Sequence, residues 1–136
     1  MMIAITRDPI DPARFIEAAK IPETGGIVTF IGTVRDDGIE ALDLEVCEEV
    51  AVSDLHRIAL QATREYHLNT VDIVHRVGRM QLTDTILVIV VGASHRQEAF
   101  SACSWILEQI KEYVPIWKKD IANGQEKWHF HEKNDQ

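Results

Sequence analysis

Arg35, His95, Arg96, Lys111 and Lys118 fall at or near the ends of the apolar runs of this sequence, where side chains can reach a ligand. Arginine offers a planar fork suited to phosphate or carboxylate. Histidine adds a donor that titrates near neutral pH, and a partly desolvated lysine can act as nucleophile or proton carrier. The pair His95-Arg96 is the most telling. It lies in GASHRQEAF (residues 92–100), directly after the buried-strand run TILVIVV (residues 85–91). Ser94 and Gln97 have the spacing of a capping box, which places both cations in the first turn of a helix. A helix N-terminus carries partial positive charge, so an arginine there has the wrong sign unless an anion completes the site. Such breaks of a local rule mark functional positions, and the sequence predicts an anion pocket.

Each cation also has an ordinary structural use. Lys111 suits the C-terminal end of its helix and can pair with Glu108. Arg35 can pair with Asp36 or Asp37 in the turn that follows it. Lys118 and Lys119 alternate on a strand, so one of the two faces outward. Lys111 and Lys118 converge if the chain reverses at Val114-Pro115. His75, on an alternating strand, reads as a hydrogen-bonded core histidine. His129 and His131 have a spacing compatible with a metal, but no third ligand stands near them and no metal site is assigned.

The chain has 136 residues and a formal charge of -8, which argues against broad binding to nucleic acid or anionic membranes. An anion site must therefore be a local concentration of the 14 Lys and Arg. With 46% hydrophobic and 26% charged residues the composition is that of a globular protein. The longest apolar stretch, residues 86–93, is far short of the ~20 needed to span a bilayer. The start has no basic region ahead of a long apolar segment, so no secretory signal is read. Two cysteines, Cys47 and Cys103, stand outside any CxxC pair, which points to a reducing cytoplasm and away from structural zinc.

The elements that position these residues follow from periodicity. Strands are expected over residues 2–6, 27–35, 39–47, 71–77 and 85–91, with a hairpin joining the second and third. Asp11-Pro12 opens a short helix. Long amphipathic helices are expected over residues 50–67 and from Ser94 to about Val114, where Pro115 stops the second. Asn123-Gly124 then turns a terminal hairpin within residues 116–130. The fold class is α+β, a mostly antiparallel sheet with two long helices, in one domain over residues 1–136 whose last five or so residues are expected to be disordered.

In order along the chain stand TFIGTVR (residues 29–35), Leu44-Glu45, VHRVG (residues 74–78), Ser94-His95-Arg96 with Ala99-Phe100, and KEYVPIWK (residues 111–118). This series resembles the large, catalytic subunit of molybdopterin synthase over nearly the whole chain, from Gly25 to Trp128. The resemblance implies an α/β-hammerhead-like fold. It also implies an enzyme that adds two sulfurs to cyclic pyranopterin monophosphate to make the dithiolene of molybdopterin. Sulfur would arrive as a thiocarboxylate on the C-terminal Gly-Gly tail of a small ubiquitin-like subunit. The implied assembly is a homodimer within a heterotetramer in the cytoplasm, without cofactor, metal, nucleic acid or membrane. Carried over by motif, Lys111 and Lys118 are the catalytic lysines. Phe30, Arg35, His95 and Arg96 are the substrate-binding residues.

The chain departs from that pattern in four places. Cys47 replaces a usual tyrosine and removes an aromatic surface. Asp120 replaces a glutamate, and Thr83-Asp84 stands where relatives often have glycine before the acid. Past Trp128 the only basic residues are His129, His131 and Lys133, in place of an arginine that reaches the neighbouring protomer in some members. A relative that binds the small subunit without turnover is the alternative reading. A phosphate-ester hydrolase or nucleotide-binding module ranks behind it, since no Gly-rich phosphate loop is present.

Overall fold

The structure, a computed structural model, describes residues 1–130. In chain order it has β1 (Ile3–Thr6), α1 (Pro12–Ala18), β2 (Gly26–Thr33), β3 (Ala41–Glu45), α2 (Glu48–Tyr66) and β4 (Leu68–Arg76). There follow β5 (Gly78–Gln81), β6 (Thr85–Ala93), α3 (Arg96–Tyr113), β7 (Trp117–Ala122) and β8 (Gln125–Phe130). The strands form two four-stranded sheets, ordered β1-β4-β6-β2 and β5-β3-β7-β8. All pairings are antiparallel except that of β1 with β4. The fold is α+β, as expected.

β6 is the centre of the first sheet. Its residues from Ile86 to Ala93 are all buried, which explains a continuous apolar run where a half-exposed strand would alternate. On one face Leu87, Ile89 and Val91 join Val71 and Ile73 of β4 against Leu55, Ile58 and Ala62 of α2 and Ala99, Cys103, Ile106 and Ile110 of α3. On the other, Val88, Val90 and Val74 pack on Phe15 and Ala19 at α1. Each Val, Leu, Ile or Phe side chain among them, removed from water, contributes ~1.5–3 kcal/mol. Among the described residues no helix is long and apolar enough to cross a membrane.

The expected hairpin between residues 27–35 and 39–47 does not form. β2 pairs along its length with β6, and β3 pairs with β5 and β7 in the other sheet. Residues 34–40 are too long a connection for a tight hairpin. They carry the chain between sheets instead, pinned by Val34 N–H to the Asp84 carbonyl and Thr83 N–H to the Val34 carbonyl. The terminal hairpin does form: Asn123 and Gly124 have φ of 52° and 73°, the two positive values a type I′ turn requires. The capping box is also absent. α3 starts at Arg96, His95 is the N-cap without a side-chain bond, and the Ser94 hydroxyl donates to the Glu23 carbonyl. Ser94 sits one residue too early to cap the helix.

Thr83 occupies the turn before β6 with φ of 74°, a left-handed conformation that a β-branched residue adopts at a cost. The Thr83-Asp84 turn is thus a strained one. Replacing Thr83 with Gly should raise stability by about 1 kcal/mol, measured as a shift in the urea midpoint with an unchanged slope.

Candidate active site

Pro115 fixes the geometry of the lysine pair. Its ring disfavours helix at the preceding residue, and Val114 turns to an extended conformation with ψ of 113°. Val114 and Ile116 are both buried in the core, so the reversal is anchored on either side of the proline. The chain then returns as β7, whose register with β3 pairs Lys118 with Leu44 and Lys119 with Asp43. Paired residues share a face. Lys118 therefore points inward with Leu44. Lys119 lies on the outer face, 3.4 Å from Glu126, 4.0 Å from Asp43 and 4.6 Å from the centre of the Trp128 ring.

Lys111, in the last turn of α3, and Lys118 line one cleft of about 40 Å³. Its walls are otherwise apolar, from Leu42, Leu44, Ile86, Leu87, Leu107, Ile110 and Ile116, with His75 as the remaining polar residue. A smaller hollow of about 20 Å³ adjoins it through Leu42, Ile86 and Lys118 and is bordered by Arg35. The Arg35 Nε–H donates to both Asp37 oxygens at 3.0 Å, so the turn ion pair exists. Both partners are more than half exposed, and such a pair contributes ~0–1 kcal/mol. A ligand anion can compete for the guanidinium at little cost.

The other expected site residues lie elsewhere in the chain. Phe30 packs partly on the core and, with Ile31, Gly32, Thr33 and Arg35, lines a separate depression. His95 and Arg96 border an open depression with Gly25, Ser94, Gln97 and Glu98. Fifteen helical residues separate Arg96 from Lys111, roughly 22 Å along α3. A single chain thus forms two cationic sites instead of one. Gly25 is required beside His95-Arg96, because a Cβ there would strike the Ser94 carbonyl oxygen.

His75 is the residue that sequence reasoning placed correctly but valued too little. It is a buried core histidine, 5% exposed, whose Nδ1 bonds the Arg76 carbonyl at 2.9 Å. It also faces the lysine cleft. Its neighbours in the VHRVG run carried no sign of that, because the cleft is built from β3, α3 and β7 as well. Asp120 follows Lys118 by two residues and shares its strand face. Among the described residues no group of three or more His, Cys, Asp or Glu is placed to hold a metal. His131, Lys133 and the expected terminal disorder lie outside the described residues, and of His129 only the backbone, in β8, is described.

The two cysteines differ sharply. Burial pushes the Cys103 thiol up to about 11, only partly offset by a hydrogen bond with the Phe30 backbone, whereas Cys47 is exposed. A raised thiol pKa leaves stability intact below the unfolded value of about 9 and erodes it as pH climbs toward about 11. Iodoacetamide at pH 8 should modify Cys47 within minutes and Cys103 only after unfolding, as read by peptide mass spectrometry.

The sequence model of the MoaE protein family matches residues 5–113. A curated relative, the molybdopterin synthase catalytic subunit of Thermoplasma volcanium, is 39% identical over 132 residues, covering 93% of this chain and 96% of that one. The crystal structure of molybdopterin synthase from Staphylococcus aureus superimposes with a TM-score of 0.86 at 33% identity, over 92% of this chain and 94% of that one. A complex of subunits 1 and 2 of molybdopterin-converting factor from Helicobacter pylori shares the fold, with a TM-score of 0.78 at 20% identity over 91% and 88% of the two chains. Fold, motif order and overall likeness agree: the chain belongs to the MoaE family, the catalytic subunits of molybdopterin synthase.

Proposed function

We propose that this chain transfers sulfur from the C-terminal thiocarboxylate of a small ubiquitin-like subunit to cyclic pyranopterin monophosphate, as a homodimer within a heterotetramer in the cytoplasm. The observation that carries this reading is the convergence of Lys111 and Lys118 in an apolar cleft that communicates with Arg35. Such a cleft suits an extended chain end. Its walls exclude water, and ammonium groups in a low-dielectric setting attract the thiocarboxylate more strongly than in bulk solvent. Lys111 is assigned as the proton shuttle of the transfer and Lys118 as the group that steadies the developing oxyanion. Arg35 and Phe30 are assigned to holding the pterin.

His95 and Arg96 are assigned to the substrate phosphate, and the roughly 22 Å along α3 makes the second protomer the natural user of this pair. Support for a two-chain arrangement comes from the surface. β2 is an edge strand, Ile31 on it is 44% exposed, and Phe100, one turn beyond Arg96, is 64% exposed. An unpaired strand edge and exposed large apolar side chains are surface that proteins usually cover.

The deciding experiment mixes the chain with thiocarboxylated small subunit and cyclic pyranopterin monophosphate and assays the dithiolene product. Absence of product, where a known synthase succeeds, would sink the reading. Binding of the small subunit without product would identify a non-catalytic relative. Lys111→Ala should lower turnover by ~10²–10⁴ while the melting temperature holds. Arg96→Ala should chiefly weaken substrate binding, by ~1.5–3 kcal/mol. Co-expressed Lys111→Ala and Arg96→Ala chains should regain activity, because each mixed dimer then contains one intact site. Mixed dimers as inactive as either parent would place each site within one protomer.

A further inference from the structure

Sulfur transfer from a thiocarboxylate poses a balance that the two lysines do not meet by themselves. The donor ends as a carboxylate, so an oxygen must reach the acyl carbon that gave up sulfur. Once sulfur has bonded the pterin, the tail is held to it through an acyl–sulfur bond. Water must add to that carbonyl, and a group must take its proton. An ammonium group engaged with the thiocarboxylate or its oxyanion has no lone pair for this task.

His75 has one. The Arg76 carbonyl can only accept, so Nδ1 carries a proton, and in the neutral ring Nε2 is then the basic atom. The ring is 5% exposed and held by β4, the strand hydrogen-bonded to β1 on one side and β6 on the other. It lines the cleft together with Lys111 and Lys118 and, among the described residues, is the only imidazole to do so. A buried ring fixed at one nitrogen meets the need of a general base for a set geometry.

We propose that His75 is the general base for hydrolysis of the acyl–sulfur intermediate; this rests on the function proposed above. The water oxygen bonds the acyl carbon as its first proton passes to His75 Nε2, and Lys118 faces the resulting oxyanion. The carbon–sulfur bond then breaks, and its electron pair leaves with the sulfur, which stays on the pterin as a thiolate. The tail departs as a carboxylate, and the protons on its new carboxyl and on His75 pass to solvent. No oxidant or reductant is involved.

The test uses His75→Gln in the full chain with thiocarboxylated small subunit and substrate. A glutamine amide can still donate to the Arg76 carbonyl but cannot take a proton. The expected result is a ~10²–10⁴-fold lower turnover with KM and small-subunit affinity within about twofold. Single-turnover mixtures should accumulate a covalent small-subunit–pterin adduct, detected by mass spectrometry, which a packing defect does not produce. His75→Asn, smaller and without overpacking, is read in the same way should the glutamine variant unfold. Wild-type turnover in the variants, or lost turnover without the adduct, overturns the role of His75 alone. A wild-type chain that forms no product overturns the proposed function and this role together.

Discussion

β6 is hydrogen-bonded along both edges and covered on both faces, and the remaining elements take their places from that fact. A strand so enclosed has no surface on which a polar side chain could find water, so its sequence is apolar throughout. β4 and β2 are held to its edges. α2 and α3 lie over one face and α1 over the other, because each has a single apolar side to bury. The lysine cleft opens at the end of this assembly, where the inner face of the second sheet meets the last turn of α3.

Strand register then decides which lysine faces the cleft. Residues along a strand alternate between faces, so a slip of one position between β3 and β7 would exchange Lys118 for Lys119. The register is held from both sides. Leu42 and Leu44 sit in the core, and the Asn123-Gly124 turn fixes how β7 meets β8. On the outer face Asp43 holds a proton more readily than usual, through burial and then the nearby charge of Glu45, with Lys119 opposing both. Lys119 thus serves its own strand face, while its neighbour in sequence serves the cleft.

The two cationic sites differ in kind. His95-Arg96 is local: a glycine-lined approach and an exposed helix start bring it together within a few residues. The Arg35, Lys111, Lys118 and His75 grouping joins the connection after β2, strand β4 and the α3–β7 reversal, three regions distant in sequence. That difference explains why one pair resisted an ordinary structural reading at first sight and the other residues each had one.

The sequence by itself determined the α+β class, both long helices, the terminal hairpin and the stop at Pro115, because periodicity, proline and Asn-Gly act within a few residues. It also placed every cation of interest at an element's end. Only tertiary structure decided that residues 26–33 pair with β6 and not with their sequence neighbour, since strand partners are chosen by which faces can be buried together. It alone turned Lys118 inward, separated His95-Arg96 from Lys111 by the length of a rigid helix, and brought His75 from the core to the wall of a cleft. Those outcomes depend on contacts between residues far apart in the chain, and no local pattern encodes them.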